Sequence, residues 1–126
     1  MIKAVTSIWA IRDRLDNVIK YVEDEKKTMQ TVLDYISQDN KVKQKKYVTC
    51  LNCDVFAPLK SMQMTKKLFH DHKRIVAFHG YQSFKIGEVD ANIAHEIGVK
   101  LAQKVFGNRF EVVVTTHLDK NHIHNH

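Results

Sequence analysis

The stretch from residue 110 to residue 126 constrains this chain's fold more than any other. Phe110-Glu111-Val112-Val113-Val114-Thr115-Thr116 is rich in β-branched residues and reads as a strand. It runs into His117-Leu118-Asp119-Lys120-Asn121-His122-Ile123-His124-Asn125-His126, which holds four of the chain's eight histidines. Side chains of an extended segment alternate between faces, so His122, His124 and His126 share one side if that segment is a strand. A hairpin turn over residues 119–121 would bring them back beside His117. The pattern predicts an antiparallel strand pair with imidazoles converging on one face.

The rest of the chain alternates strands with helices. Residues 2–9 read as a first strand. From Asp13 the pattern is helical, with Leu15, Val18, Ile19 and Val22 on one stripe. Tyr21 falls on the flank of that stripe, about 100° round the helix, at the edge of the buried face. Val32, Leu33 and Ile36 suggest a second short helix, and residues 37–46 a polar loop. Residues 47–52 predict a strand, and Pro58 is placed to open a helix over 59–70. Strands follow at 75–78 and 81–84. Residues 90–106 give the clearest helix, with Asp90 as N-cap, Gly107 as terminator and a stripe of Ile93, Ala94, Ile97, Gly98, Leu101, Ala102 and Val105. The expected class is α+β: one domain over residues 1–126, an α/β sandwich with a mainly antiparallel central sheet flanked by helices.

Composition narrows the function classes. With 44% hydrophobic and 27% charged residues, the chain is neither disordered nor membrane-spanning by composition. Without a signal-peptide pattern at the N-terminus, it is expected to be cytoplasmic. A formal charge of +6 fits a polyanionic partner, and Lys41, Lys43, Lys45 and Lys46 form the densest basic run. Cys50-Leu51-Asn52-Cys53 resembles half a zinc site, but there is no second Cys-x-x-Cys, so the pair is expected to be ordinary reduced thiols.

The histidine segment is more than an affinity tag, since Asp, Lys, Asn and Ile interrupt it and it follows a strand without a linker. Three neutral imidazoles (His117, His124 and His126) suit manganese, cobalt or zinc better than bare magnesium, which prefers oxygen. Three protein ligands leave positions open for substrate oxygens, as in a catalytic rather than a structural site. Asp119 is placed to orient a ligand imidazole through its second nitrogen. His122 has the parity of His124 and His126, and reads either as a fourth ligand or as a nearby DNA contact. The letters His-Asn-His do not make an HNH nuclease, whose residues are spread over a ββα unit.

The motif His-x-Asp-x-x-His-x-His-x-His at 117–126 resembles the third motif of the MobP-class relaxases, mobilisation nucleases within the HUH endonucleases. Tyr21-Val22-Glu23-Asp24-Glu25-Lys26-Lys27-Thr28 is similar to their tyrosine motif, with Asp24-Glu25 where Asn-Pro is usual. His79-Gly80-Tyr81-Gln82-Ser83-Phe84-Lys85-Ile86-Gly87-Glu88 is similar to the middle motif. Tyrosine before histidines is the relaxase order; rolling-circle initiators, the other HUH nuclease reading, have the reverse.

The resemblance implies an HUH or palm-like fold and a divalent ion, with manganese or magnesium first and zinc or cobalt next. It also implies site- and strand-specific nicking of single-stranded DNA at a transfer origin. Tyr21 would be the nucleophile and would end in a 5′-phosphotyrosyl link. His79, Gln82 and Ser83, with Lys27 and Thr28, would contact DNA or orient the site, while His95, off the apolar stripe, reads as a surface or supporting residue. Expected partners are the origin DNA, accessory relaxosome proteins and a coupling protein, in plasmid conjugation or mobilisation and hence horizontal gene transfer. Because the sequence stops at His126, where relaxases continue into an apolar strand, a truncated DNA-binding remnant with little activity is the alternative expectation.

Overall fold

The structure, a computed structural model, describes residues 2, 4–12, 47–118 and 122–126. The helices expected over 13–22 and 32–36, the basic loop and the turn at 119–121 lie outside the described residues. Among the described residues, five strands form one sheet in the order β1-β3-β5-β4-β2. The strands are β1 (Val5–Arg12), β2 (Val48–Leu51), β3 (Ile75–Ser83), β4 (Val112–His117) and β5 (His124–Asn125). Two helices accompany them, α1 (Pro58–Leu68) and α2 (Ala91–Phe106). Every neighbouring pair is antiparallel, so the described chain has an α+β fold with an antiparallel sheet.

The first strand runs to Arg12 rather than ending at 9, because its backbone pairs with β3 from Val5↔Ser83 to Arg12↔Ile75. For the same reason β3 is continuous where two pieces were expected. Gly80 weakens the local β signal, yet it pairs with Ile8 in unbroken register. The pairing partner, absent from any local reading, joins the two halves.

At the centre of the sheet lies the shortest strand. β5 pairs with β3 through Gln82↔Asn125 and Ser83↔His124, and with β4 through Thr116↔Asn125 and His117↔His124. Reciprocal backbone bonds between Thr115 and His126, at 2.8 and 2.9 Å, extend the second ladder by one residue. This register sorts the side chains. His117, His124, His126, His79, Tyr81 and Trp9 share one face, while Thr116, Asn125, Gln82, Val114 and Thr49 share the other.

Helix α2 packs on that second face. Asp90 caps it by accepting from the Ile93 amide at 2.8 Å, and Gly107 closes it at φ 60°. The buried line is Ala94, Gly98 and Ala102, all small, so the helix backbone approaches the sheet closely. Ile93 and Val105, expected on the buried stripe, are exposed: the contact is a narrow seam, not a broad apolar face. Helix α1 begins at Pro58 as expected and ends at Leu68, with no buried residue. A 2.6 Å bond from Ser61 Oγ to Glu111 ties it to the segment before β4.

Candidate metal centre

The interior around β4 and β5 is polar. His117, His124, Thr115 and Thr116 are the largest fully buried side chains among the described residues. Burying such groups costs stability unless each is hydrogen-bonded; Thr116, His117 and His124 have side-chain partners, while the Thr115 hydroxyl has none among the described residues. Their locations follow from the strand pair anticipated at 112–126: paired strands put His117 opposite His124, and His126 two residues on along the same face.

One ring nitrogen from each of His117, His124 and His126 lies within 4.8 Å of the others. Two nitrogens bound to one ion at about 2.1 Å are at most about 4.2 Å apart, so small ring rotations would close the set. Three imidazoles with no carboxylate among them are a donor set for a borderline transition ion. As it stands, His117 Nδ1 lies 3.1 Å from His124 Nε2, a hydrogen bond that fills the same space.

The flanking residues hold this cluster from the sheet. His79 Nε2 is 2.8 Å from His126 Nδ1, with the two rings stacked at 4.9 Å. Burial, and then the charge of nearby His117, push His79's pKa down and favour its neutral form, which can accept a hydrogen bond from His126. Tyr81 stacks on His124 at 5.2 Å and meets His126 edge-on. His122, the uncertain fourth histidine, sits 3.4 Å from the Tyr81 hydroxyl and outside the three-nitrogen cluster.

Not every expected residue lies on the histidine face. Ser83 does, opposite His124. Gln82 points the other way; it is 7% exposed, and its Oε1 accepts from Asn125 Nδ2 at 2.9 Å. The amide is therefore engaged within the fold, on the face opposite the histidines. Tyr21, Lys27, Thr28 and Asp119 lie outside the described residues.

One feature escaped the sequence reading, and a second, read as surface or supporting, now has a definite place. Trp9, 46% exposed on the edge strand, packs against His79 at 4.7 Å and extends the row of rings to the sheet edge. His95 is half-buried between Thr49 and Thr116. The available signal for it was parity: Thr116 and Asn125 are polar at positions where the strand pair faces its helix, and such positions demand partners. The cysteines are free thiols, with Cys53 Sγ 3.5 Å from the Val112 carbonyl.

Residues 35–126 match the family described as "Relaxase: MobA/VirD2-like, nuclease domain". The chain belongs to that relaxase family. The match begins after Tyr21 and includes all three clustered histidines. Curated relatives agree: a Protein rlx of Staphylococcus aureus is 42% identical over 76 residues, 60% of this chain and 23% of the relative. A second, also from S. aureus, is 41% identical over 76 residues, 60% of this chain and 24% of its own length. A third S. aureus Protein rlx is 33% identical over 78 residues, 62% of this chain and 23% of its own. The chain thus matches about a quarter of each relative's length. No solved structure matches it. Among the described residues, no helix is long and apolar enough to cross a membrane.

Proposed function

We propose that this relaxase domain nicks single-stranded DNA site- and strand-specifically at a transfer origin, with Tyr21 as nucleophile and His117, His124 and His126 as the metal ligands. The observation that carries the proposal is the convergence of three ring nitrogens within 4.8 Å on two central strands. A divalent ion held there, manganese or magnesium first and zinc or cobalt next, would polarise the scissile phosphate and offset its developing charge.

The protein's own groups do the rest. A free tyrosine, with a pKa of about 10, needs help to attack at neutral pH. The Tyr21 oxygen attacks phosphorus and loses its proton, and the P–O3′ bond breaks. The products are a 5′-phosphotyrosyl link and a free 3′-hydroxyl, so the phosphodiester's energy is kept for rejoining. Neutral His79 accepts from His126 Nδ1 and turns the other ring nitrogen towards the ion site. Asp119 acts on a neighbouring ligand in the same way.

Ser83 on the histidine face, with Lys27, Thr28 and His122, contacts the DNA strand, and exposed Trp9 offers a base a stacking surface beside the site. Tyr21 would enter over the histidine face, in the palm-like arrangement of HUH nucleases, with residues 1–126 forming part of the catalytic domain. In the cytoplasm, accessory relaxosome proteins and a coupling protein would complete the mobilisation machinery. The test is a nicking assay on single-stranded origin DNA with and without Mn²⁺. Metal-dependent cleavage supports the enzyme; binding without cleavage supports the alternative of a DNA-binding remnant.

A further inference from the structure

On the helix-covered face behind the histidines, five side chains form an unbroken hydrogen-bonded chain whose direction can be worked out. It starts from a fixed point, the Ala94 carbonyl, which can only accept. Asn125 lies 2.7 Å from it, so the atom facing it is the amide nitrogen Nδ2. Nδ2 also donates to Gln82 Oε1 at 2.9 Å, which spends both its protons. Asn125 Oδ1 is therefore the acceptor facing Thr116, and the Thr116 hydroxyl donates to it at 2.6 Å. A hydroxyl has one proton, so the 2.8 Å contact between Thr116 Oγ1 and His95 Nδ1 requires the imidazole to donate. His95 is thus protonated at Nδ1, and its Nε2 accepts from the Thr49 hydroxyl at 2.6 Å. Burial, which disfavours the imidazolium, agrees with that neutral tautomer.

The chain ends on a residue with an unusual duty. Asn125 separates His124 from His126 in a strand of two residues paired with both β3 and β4, and its side chain lies on the face opposite theirs. Its side chain projects from the sheet to α2 and grips it at Ala94, against Gly98, where an added Cβ would lie 2.6 Å from Nδ2. We propose that His95 is a positioning residue for the metal centre: by holding Thr116, and through it Asn125, it sets β5 at the height and twist that bring His124 and His126 to His117. This rests on the metal-site reading above and adds to it a support running from β2 through α2. The histidine in Ala94-His95-Glu96-Ile97-Gly98 would then act on the site without touching it.

The test compares Mn²⁺ affinity, by calorimetry and by the EPR signal of free Mn²⁺, across wild type, His95→Leu and His95→Asn. Leucine keeps the volume and removes the donor; asparagine places an N–H where Nδ1 stood. The expected result is an affinity loss of about 10–100-fold for His95→Leu, with His95→Asn within about threefold of wild type. Equal affinity in wild type and His95→Leu, or equal losses in both variants, overturns the inference. Should the leucine variant not fold, the ring ¹⁵N shifts of His95 in the wild-type chain decide: the Nδ1–H tautomer supports the chain of bonds, and the Nε2–H tautomer overturns it. A wild-type chain that binds no Mn²⁺ overturns the metal reading and this inference together. Tight binding indifferent to His95 overturns this inference alone.

Discussion

Gly98 and Asn125 are packed so closely that a methyl group on the glycine would meet the Asn125 side chain at 2.6 Å from Nδ2 and 3.0 Å from Cγ. Neither partner can yield cheaply, because Nδ2 donates to both the Ala94 carbonyl and Gln82. In an exposed helix Gly→Ala would gain about 1 kcal/mol. Here overpacking costs about 1–3 kcal/mol and outweighs it. Gly98→Ala is expected to be destabilised by up to about 2 kcal/mol in urea unfolding; a stabilised variant would show that helix and strand are not in this contact.

Acid should weaken the fold through His95. Burial lowers its pKa in the folded chain, so below the ordinary value of about 6.5 the unfolded chain binds more protons. Stability from this group is therefore complete above about pH 6.5 and falls as pH drops towards the lowered folded value. Denaturant midpoints from pH 7.5 to 5 should decline in wild type and decline less in His95→Asn. His79, shifted in the same direction, should keep part of the slope in both. Identical slopes would remove His95 from the explanation.

Sequence and structure part company over range, not over chemistry. Asp90, Gly107 and the spacing of Ala94, Gly98 and Ala102 made α2 readable, since caps and helical period are local. The antiparallel pair carrying His117 and His124 was readable from the β-branched run, the short turn segment and the parity of the histidines. The continuity of β3 through Gly80 was not, because its partner Ile8, distant in sequence, supplies it. The partners of His95, read as a surface or supporting residue, were hidden for a similar reason: helical period places it off the apolar stripe, and only the folded sheet brings Thr49 and Thr116 to its two nitrogens.

The four terminal-segment histidines should separate in a metal titration. Alanine at His117, His124 or His126 is expected to abolish measurable Mn²⁺ binding, because each removes one of three ligands. His122→Ala should stay within about threefold of wild type, since that ring turns to the Tyr81 hydroxyl outside the cluster. A loss at His122 equal to that at His124 would make it a fourth ligand.

Trp9 should matter to DNA and not to metal. Base stacking on an aromatic ring contributes about 1–3 kcal/mol, so Trp9→Ala should weaken single-stranded origin DNA binding by about 5–150-fold. Its Mn²⁺ affinity should hold, because Trp9 reaches the ligands only through His79. Fluorescence anisotropy with a labelled oligonucleotide reads the first effect and calorimetry the second. Unchanged anisotropy would leave Trp9 a surface aromatic.

The covalent adduct reports on the nucleophile and the metal site together. The chain is incubated with single-stranded origin DNA and Mn²⁺, then run on a denaturing gel that retains a phosphotyrosyl protein–DNA species. Wild type should give a shifted band that disappears with chelator, in Tyr21→Phe and in His124→Ala, while Tyr21→Phe still binds the oligonucleotide. An adduct of undiminished yield in Tyr21→Phe would mean that another residue attacks the DNA.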